Sequence, residues 1–313
     1  MIVAVDGLTK RFTRKGQQPF TAVDEVSFSI APGERVAFIG PNGAGKSTTL
    51  KMLTGILFPS GGTAQVAGHV PWAERQALAL RIGVVFGQRS QLWYHLPAQD
   101  SFDLIARMYA IPQADYRWRL DHVVEVLKIG HLIGQPVKSL SLGQRMRCEI
   151  AGSLLHGPSV LFLDEPTIGL DVTAKALLRE HLKHLAQAED TTIVLTSHDT
   201  GDIEEICDRV ILINDGRILL DRPLEALRAD FLTAKQVVLV TDEEAPHLTL
   251  GADMPGVELT ARDRHRLTLR VDTKHSRVDR VVAQALETLS VRDLSIEAAP
   301  LESIILRLYG ERQ

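Results

Sequence analysis

A chain of 313 residues, 45% apolar and 24% charged, can bury one large core and a second small one. Its 35 Lys and Arg against 39 Asp and Glu leave a net charge of −4, which supplies no global basic face for nucleic acid. Cys148 and Cys207 form neither a disulfide framework nor a CxxC motif, the usage of a reduced cytosolic chain, and no run of about 18 apolar residues or basic-then-apolar leader is present, so a membrane pore would belong to another polypeptide.

Taken in chain order, residues 2–5 and 26–30 alternate apolar and polar and read as antiparallel strands. Residues 35–39 are a compact apolar run suited to a buried central strand, ending at Gly40 and leading through a glycine-rich loop into a helix over 46–57. Another strand is expected at 82–86, then an irregular loop over 87–98. Amphipathic helices at 99–109, 115–127 and 144–155 read as a helical insertion. Buried strands at 160–163 and 192–195, with helices between and after, imply a mostly parallel sheet covered on both faces. Residues 209–213 and 218–220 flank an Asp215-Gly216 turn and read as a hairpin, followed by a helix over 223–231. From about 235 the character changes. Strands at 237–241, 266–271 and 291–296 and helices at 277–289 and 301–309 read as a separate small α+β domain.

Gly40-Pro41-Asn42-Gly43-Ala44-Gly45-Lys46-Ser47 fits GxxxxGK(S/T), set between a strand and a helix as a phosphate loop requires, with Thr48 next in line. Glycines let successive N–H groups converge on one anion, and the helix N-terminus adds its dipole. Lys46 would reach the β- and γ-phosphates and the Ser47 hydroxyl would take one position on Mg²⁺. Asp164 and Glu165 close a buried strand at the same sheet edge, where open α/β sheets place their ligands. Asp164 would hold Mg²⁺ through water, and Glu165 is the candidate base for the attacking water. His198 follows the next buried strand, placed to contact the γ-phosphate and hold the water in line.

In this order the motifs resemble those of the ATP-binding cassette family, over roughly residues 1–230. Gly40 to Ser47 matches its Walker A loop, Phe162-Leu163-Asp164-Glu165 its Walker B strand and His198 its switch histidine. Gln88 resembles the Q-loop glutamine that binds Mg²⁺ and senses a transmembrane partner, and Leu170-Asp171 resembles the D-loop. Phe12 resembles the aromatic that stacks on adenine; a core phenylalanine is the rival reading, and Phe20 is a second candidate. Leu140-Ser141-Leu142-Gly143-Gln144 resembles the LSGGQ signature. The resemblance implies that Ser141, Gly143 and Gln144 face the γ-phosphate held by an opposite subunit, so that hydrolysis needs a homodimer or a heterodimer with a paralogue. Leu142 stands where the family usually has glycine, and leucine there would be strained if the position needed φ > 0.

The resemblance implies a P-loop α/β cassette with a mostly parallel core, an antiparallel β subdomain and a helical subdomain near 89–157, followed by an accessory α+β domain at 235–313. It implies an ATPase using ATP and Mg²⁺, driving a separate ABC-2-type permease, an exporter, from the cytoplasmic face of the membrane, with no nucleic-acid partner. The competing function is a soluble cassette ATPase acting on ribosomes or DNA; the single phosphate loop and the lack of a long heptad run count against it. A non-hydrolysing ATP-bound regulator is a third. Arg262, Arg264, His265, Arg266 and Arg270, broken by Asp263 and Asp272, read as a solvated face.

Overall fold

The computed structural model describes residues 1–13, 18–87, 90–189, 191–231, 234–244, 246, 248 and 254–298. The chain divides into two compact units between Leu224 and Glu225.

In the first unit, β1 (Val3–Phe12) and β2 (Phe20–Ile30) form an antiparallel sheet that β4 (Gly61–Val66) joins on the free edge of β1. Between them in sequence come β3 (Arg35–Ile39) and α1 (Lys46–Leu53). Next are α2 (Arg75–Ala79), β5 (Ile82–Phe86), α3 (Ala98–Met108), α4 (Gln113–Val126) and α5 (Leu142–Leu154). The rest alternates as β6 (Val160–Asp164), α6 (Val172–Glu189), β7 (Thr192–Ser197), α7 (Thr200–Ile206), β8 (Arg209–Asn214) and β9 (Arg217–Pro223). The main sheet runs β5-β6-β7-β3-β8-β9, parallel except for β9 at one edge. Strands buried on both faces explain the unbroken apolar runs: Val36 to Ile39, Val160 to Leu163 and Ile193 to Leu195 are each 2% exposed or less.

The antiparallel sheet, α1 and the parallel sheet share one core, in which Leu8, Phe28, Phe38, Leu53 and Phe162 pack together and the Phe28 and Phe38 rings stand 5.6 Å apart. β4 is too poor in apolar residues to read as a strand; only Ala64 and Val66 are buried. Gly62, at φ +80, lies so close to Gly7 and Leu8 that no side chain fits between the strands. Helix α1 stops at Leu53 rather than 57 because Gly55 takes a left-handed conformation and returns its N–H to the Met52 carbonyl at 3.1 Å. The hairpin turn has both central residues, Asp215 and Gly216, at positive φ, the type I′ geometry that suits strand twist.

The second unit holds α8 (Leu224–Phe231) from its second residue, then β10 (Ala234–Thr241), β11 (Val257–Asp263), β12 (Arg266–Asp272), α9 (Val278–Thr288) and β13 (Val291–Ala298). Its sheet order is β11-β12-β10-β13. β12 and β13 both run antiparallel to β10, so α9 makes a crossover between two parallel strands with β10 inserted between them. Val237, Leu239, Leu267, Leu269 and Val271 pack on Val281 and Ala285 of α9. β11, almost wholly exposed, escaped the sequence reading. The helix expected over 301–309 lies outside the described residues, whereas Arg262, Arg264, His265 and Arg266 are exposed as expected of a solvated face.

Candidate nucleotide site

The loop from Gly40 to Gly45 is forced into its curl by its surroundings. A side chain at Gly40 would collide with the Ile213 carbonyl, and Gly43 and Gly45 sit at φ +85 and +106. Gly45 leads directly into α1, whose N-terminus has no side-chain cap, so the first-turn N–H groups stay free for an anion. Ala44 is buried beside Gly45, while Pro41 and Asn42 are exposed at the crest of the loop. Lys46 lies back along it, 6% exposed, donating to the carbonyls of Gly40 at 2.6 Å and Pro41 at 3.2 Å. Burial holds its ammonium below the ordinary lysine range, and nearby Glu165 and Asp164 partly restore it.

Parallel register places Asp164 beside Thr196, and the two strand ends are bonded across: Thr196 Oγ1 donates to Asp164 Oδ1 at 2.6 Å, and Ser47 Oγ donates to the same oxygen at 3.0 Å. Glu165 follows at φ +54, a left-handed conformation uncommon outside glycine, and its N–H is held by the Thr196 hydroxyl at 3.1 Å. That backbone turn aims its carboxylate between Lys46 and His198, with Oε1 at 3.9 Å from Lys46 Nζ and Oε2 at 2.6 Å from His198 Nδ1. A cavity of about 640 Å³ opens over this group, lined by Asn42 to Thr48, Glu165, Ile168 and His198. Phe12 and Phe20, register partners on β1 and β2, line its far end with Ala22. At 39% and 59% exposed neither is a core residue, which overturns the rival reading of Phe12.

The structure therefore brings the phosphate loop, Lys46, Ser47, Thr48, Asp164, Glu165 and His198 to one edge of the parallel sheet, with Phe12 of the antiparallel sheet across the cavity. Gln88 lies outside the described residues. Ser141, Gly143, Gln144 and Asp171 do not line the cavity of their own chain. Ser141 caps α5 through a reciprocal box, accepting the Gln144 N–H at 3.3 Å while its own N–H donates to Gln144 Oε1 at 2.9 Å. Asp171 accepts the Ala174 N–H at 2.8 Å at the start of α6. A Cβ on Gly143 would stand 2.9 Å from Ala174, so these two helix starts approach each other closely. Leu142 is the first residue of α5, outside the left-handed region, and packs beside Gly169, so no backbone strain attends the leucine. Thr196 was missed as a site residue; the usable signal was a hydroxyl ending a buried strand in register with Asp164.

Glycine curl, uncapped helix, buried ammonium and an aromatic wall fit a nucleoside triphosphate. Ser47 Oγ and Asp164 Oδ1, both oxygen donors, fit a hard cation shared with phosphates; among the described residues no cluster of three or more His, Cys, Asp or Glu would hold a metal unaided.

Residues 23–168 match the family model described as ABC transporter. The Nod factor export ATP-binding protein I of Ralstonia nicotianae is 36% identical over 248 residues, covering 79% of this chain and 74% of that protein. The daunorubicin resistance ATP-binding protein DrrA3 of Streptomyces coeruleorubidus is 30% identical over 99% of this chain and 96% of its own length. Among solved structures, the ATP-binding cassette MJ0796, as a dimer in a post-hydrolysis state bound to ADP and Pi, superposes with TM-score 0.63 at 26% identity, covering 71% of this chain and 98% of that one. The cbiO1 protein of Clostridium perfringens, part of the ABC transporter complex cbiONQ, gives TM-score 0.65 at 30% identity over 73% and 91%.

Proposed function

The chain belongs to the ABC transporter ATP-binding family and is an ATPase subunit of a transporter, and from that premise we propose that it energises export through a separate ABC-2-type permease at the cytoplasmic face of the membrane. The observation that carries the reading is the sheet edge on which Lys46, Ser47, Asp164, Glu165 and His198 converge. Export enters through the relatives named for Nod factor export and daunorubicin resistance. Among the described residues no helix is long and apolar enough to cross a membrane, which agrees with a pore on another chain.

In the proposed mechanism Phe12, with Phe20 beside it, stacks on the adenine, and Lys46 exchanges its carbonyl acceptors for β- and γ-phosphate oxygens. Amides of Gly40 to Thr48 cradle the phosphates. Ser47 and Asp164, with Gln88, would hold Mg²⁺, which would neutralise charge on the phosphate oxygens. Glu165 takes the proton of the attacking water and His198 keeps that water in line. Ser141, Gly143, Gln144 and Asp171 act on the site of a second copy or a paralogue, which agrees with their position outside their own cavity. Cassette 1–230, with its helical subdomain near 89–157, would carry this chemistry, and domain 235–313 would be accessory. Trp93 and Tyr94 are exposed at the head of the helical subdomain, and this reading assigns them to the permease contact.

The test is co-purification from detergent-solubilised membranes using this chain as bait. An integral membrane protein with about six spans, whose presence raises ATP turnover and whose effect Lys46→Ala abolishes, is the expected result. Recovery of ribosomes or DNA in a salt-sensitive manner, with no membrane protein, would overturn the reading.

A further inference from the structure

Glu165 and His198 ride on two different strand-to-helix loops, and those loops meet beneath the site on a carboxylate that belongs to no motif. Asp202, in α7, is fully buried. Its Oδ2 accepts hydroxyl protons from Thr167 at 2.5 Å and Ser197 at 2.6 Å, and its Oδ1 accepts the Arg179 Nε–H at 2.7 Å. Thr167 is two residues beyond Glu165, and Ser197 immediately precedes His198. Asp199, on the other side of His198, takes a second guanidinium nitrogen of Arg179 at 2.8 Å and Lys175 Nζ at 2.6 Å. Both cations stand on α6, the helix that starts beside Asp171. The Arg179 side chain is only 12% exposed, and its remaining nitrogen faces Glu205 at 3.3 Å.

A buried ion pair is a weak device for stability, since apolar residues of like volume commonly do as well. What this one supplies is geometry. Charge-assisted hydrogen bonds fix Thr167 and Ser197 on the same oxygen, so neither loop can shift without breaking a bond to a buried charge. The 2.6 Å contact between Glu165 and His198 sits on top of that junction. The geometry points to Asp202, with Arg179 and Thr167, as a positioning centre for hydrolysis that keeps Glu165 and His198 in mutual register without touching the nucleotide. This rests on the assignment of Glu165 and His198 to the chemistry.

The test is steady-state hydrolysis of Mg-ATP by the full-length chain carrying Thr167→Val, Arg179→Lys, or the uncharged pair Arg179→Met with Asp202→Leu. Misplacing catalytic groups by an ångström costs about 10- to 100-fold, so kcat should fall by that factor while KM for ATP stays within about twofold. The uncharged pair removes both charges of the buried bridge together and leaves no lone buried charge there, so it should fold, less stable by the bonds that Asp199, Glu205, Thr167 and Ser197 lose, yet stay slow. Recovery of parental kcat in the pair would mean that the charges merely balance each other and would overturn the proposal. So would Thr167→Val with parental kcat, a change of like size that removes one bond to Asp202 and no charge. Glu165→Gln run in parallel separates the two layers: parental turnover there removes the base assignment itself, whereas a slow Glu165→Gln beside unimpaired Thr167→Val removes only the positioning centre.

Discussion

Glu165→Gln keeps the size of the side chain and an oxygen for His198 to donate to, and removes the carboxylate assigned to take the proton of the attacking water. Loss of a general base lowers turnover by about 10²- to 10⁴-fold, or roughly 2.7–5.4 kcal/mol of barrier. Ground-state binding should change far less. The Coulomb attraction between Lys46 Nζ and Glu165 at 3.9 Å is about 4 kcal/mol at an effective dielectric of 20, but phosphate oxygens give the ammonium a new negative partner once nucleotide enters. Affinity for ATP should therefore stay within about threefold, or roughly 0.7 kcal/mol. Phosphate release, nucleotide titration and sedimentation of the same sample read these quantities together. The expected outcome is a slow enzyme with ordinary affinity that sediments as a dimer in ATP and as a monomer in ADP. Turnover within about tenfold of the parent would refute Glu165 as the base, and a monomer at saturating ATP and high protein concentration would refute the shared site.

Ser141→Ala removes the capping hydroxyl of α5 and should destabilise the chain by about 0.5–2 kcal/mol in thermal melts. It should also slow phosphate release by about 10²-fold through the opposite site; melting loss with full turnover would leave Ser141 a cap and nothing more. Leu142→Gly restores the residue usual in the family and should cost about 0.5–1 kcal/mol of stability in urea titrations without raising turnover, because the leucine is already helical. A faster enzyme would show that the leucine restrains the site. Burial, with Arg147 and Lys128 nearby, pushes the His181 imidazole down to about 4, and its Nε2 finds no hydrogen-bond partner among the described residues. The unfolded chain gains that proton near 6.5, so stability should fall as pH drops from 6.5 toward 4, by at most about 3 kcal/mol. His181→Leu should flatten that slope; parallel curves for the two proteins would refute the assignment.

The parallel core was legible because strands buried on both faces leave unbroken apolar runs, and the phosphate loop because its glycines, lysine and hydroxyl stand at fixed spacing between a strand and a helix. β4 was not legible, since close approach to β1 demands glycine where a strand would otherwise show its pattern. The early end of α1 hung on one left-handed glycine inside a sequence that keeps helical spacing through Leu57. At the site, residues whose chemistry is local to a motif could be named in advance. Thr167, Arg179 and Asp202 could not, because their roles exist only where β6, β7, α6 and α7 come together. Phe20 gained its place through cross-strand register with Phe12, which depends on two bulged strands.

The left-handed turn at Glu165 bears on how this enzyme would respond to selection for heat resistance. A non-glycine residue there carries a conformational penalty of about 1–2 kcal/mol, which glycine escapes and asparagine reduces. Libraries screened only for survival after heating would then enrich replacements that aim no carboxylate at His198 or Lys46. Surviving clones from such a campaign should be sequenced at position 165 before their loss of activity is blamed on rigidity elsewhere.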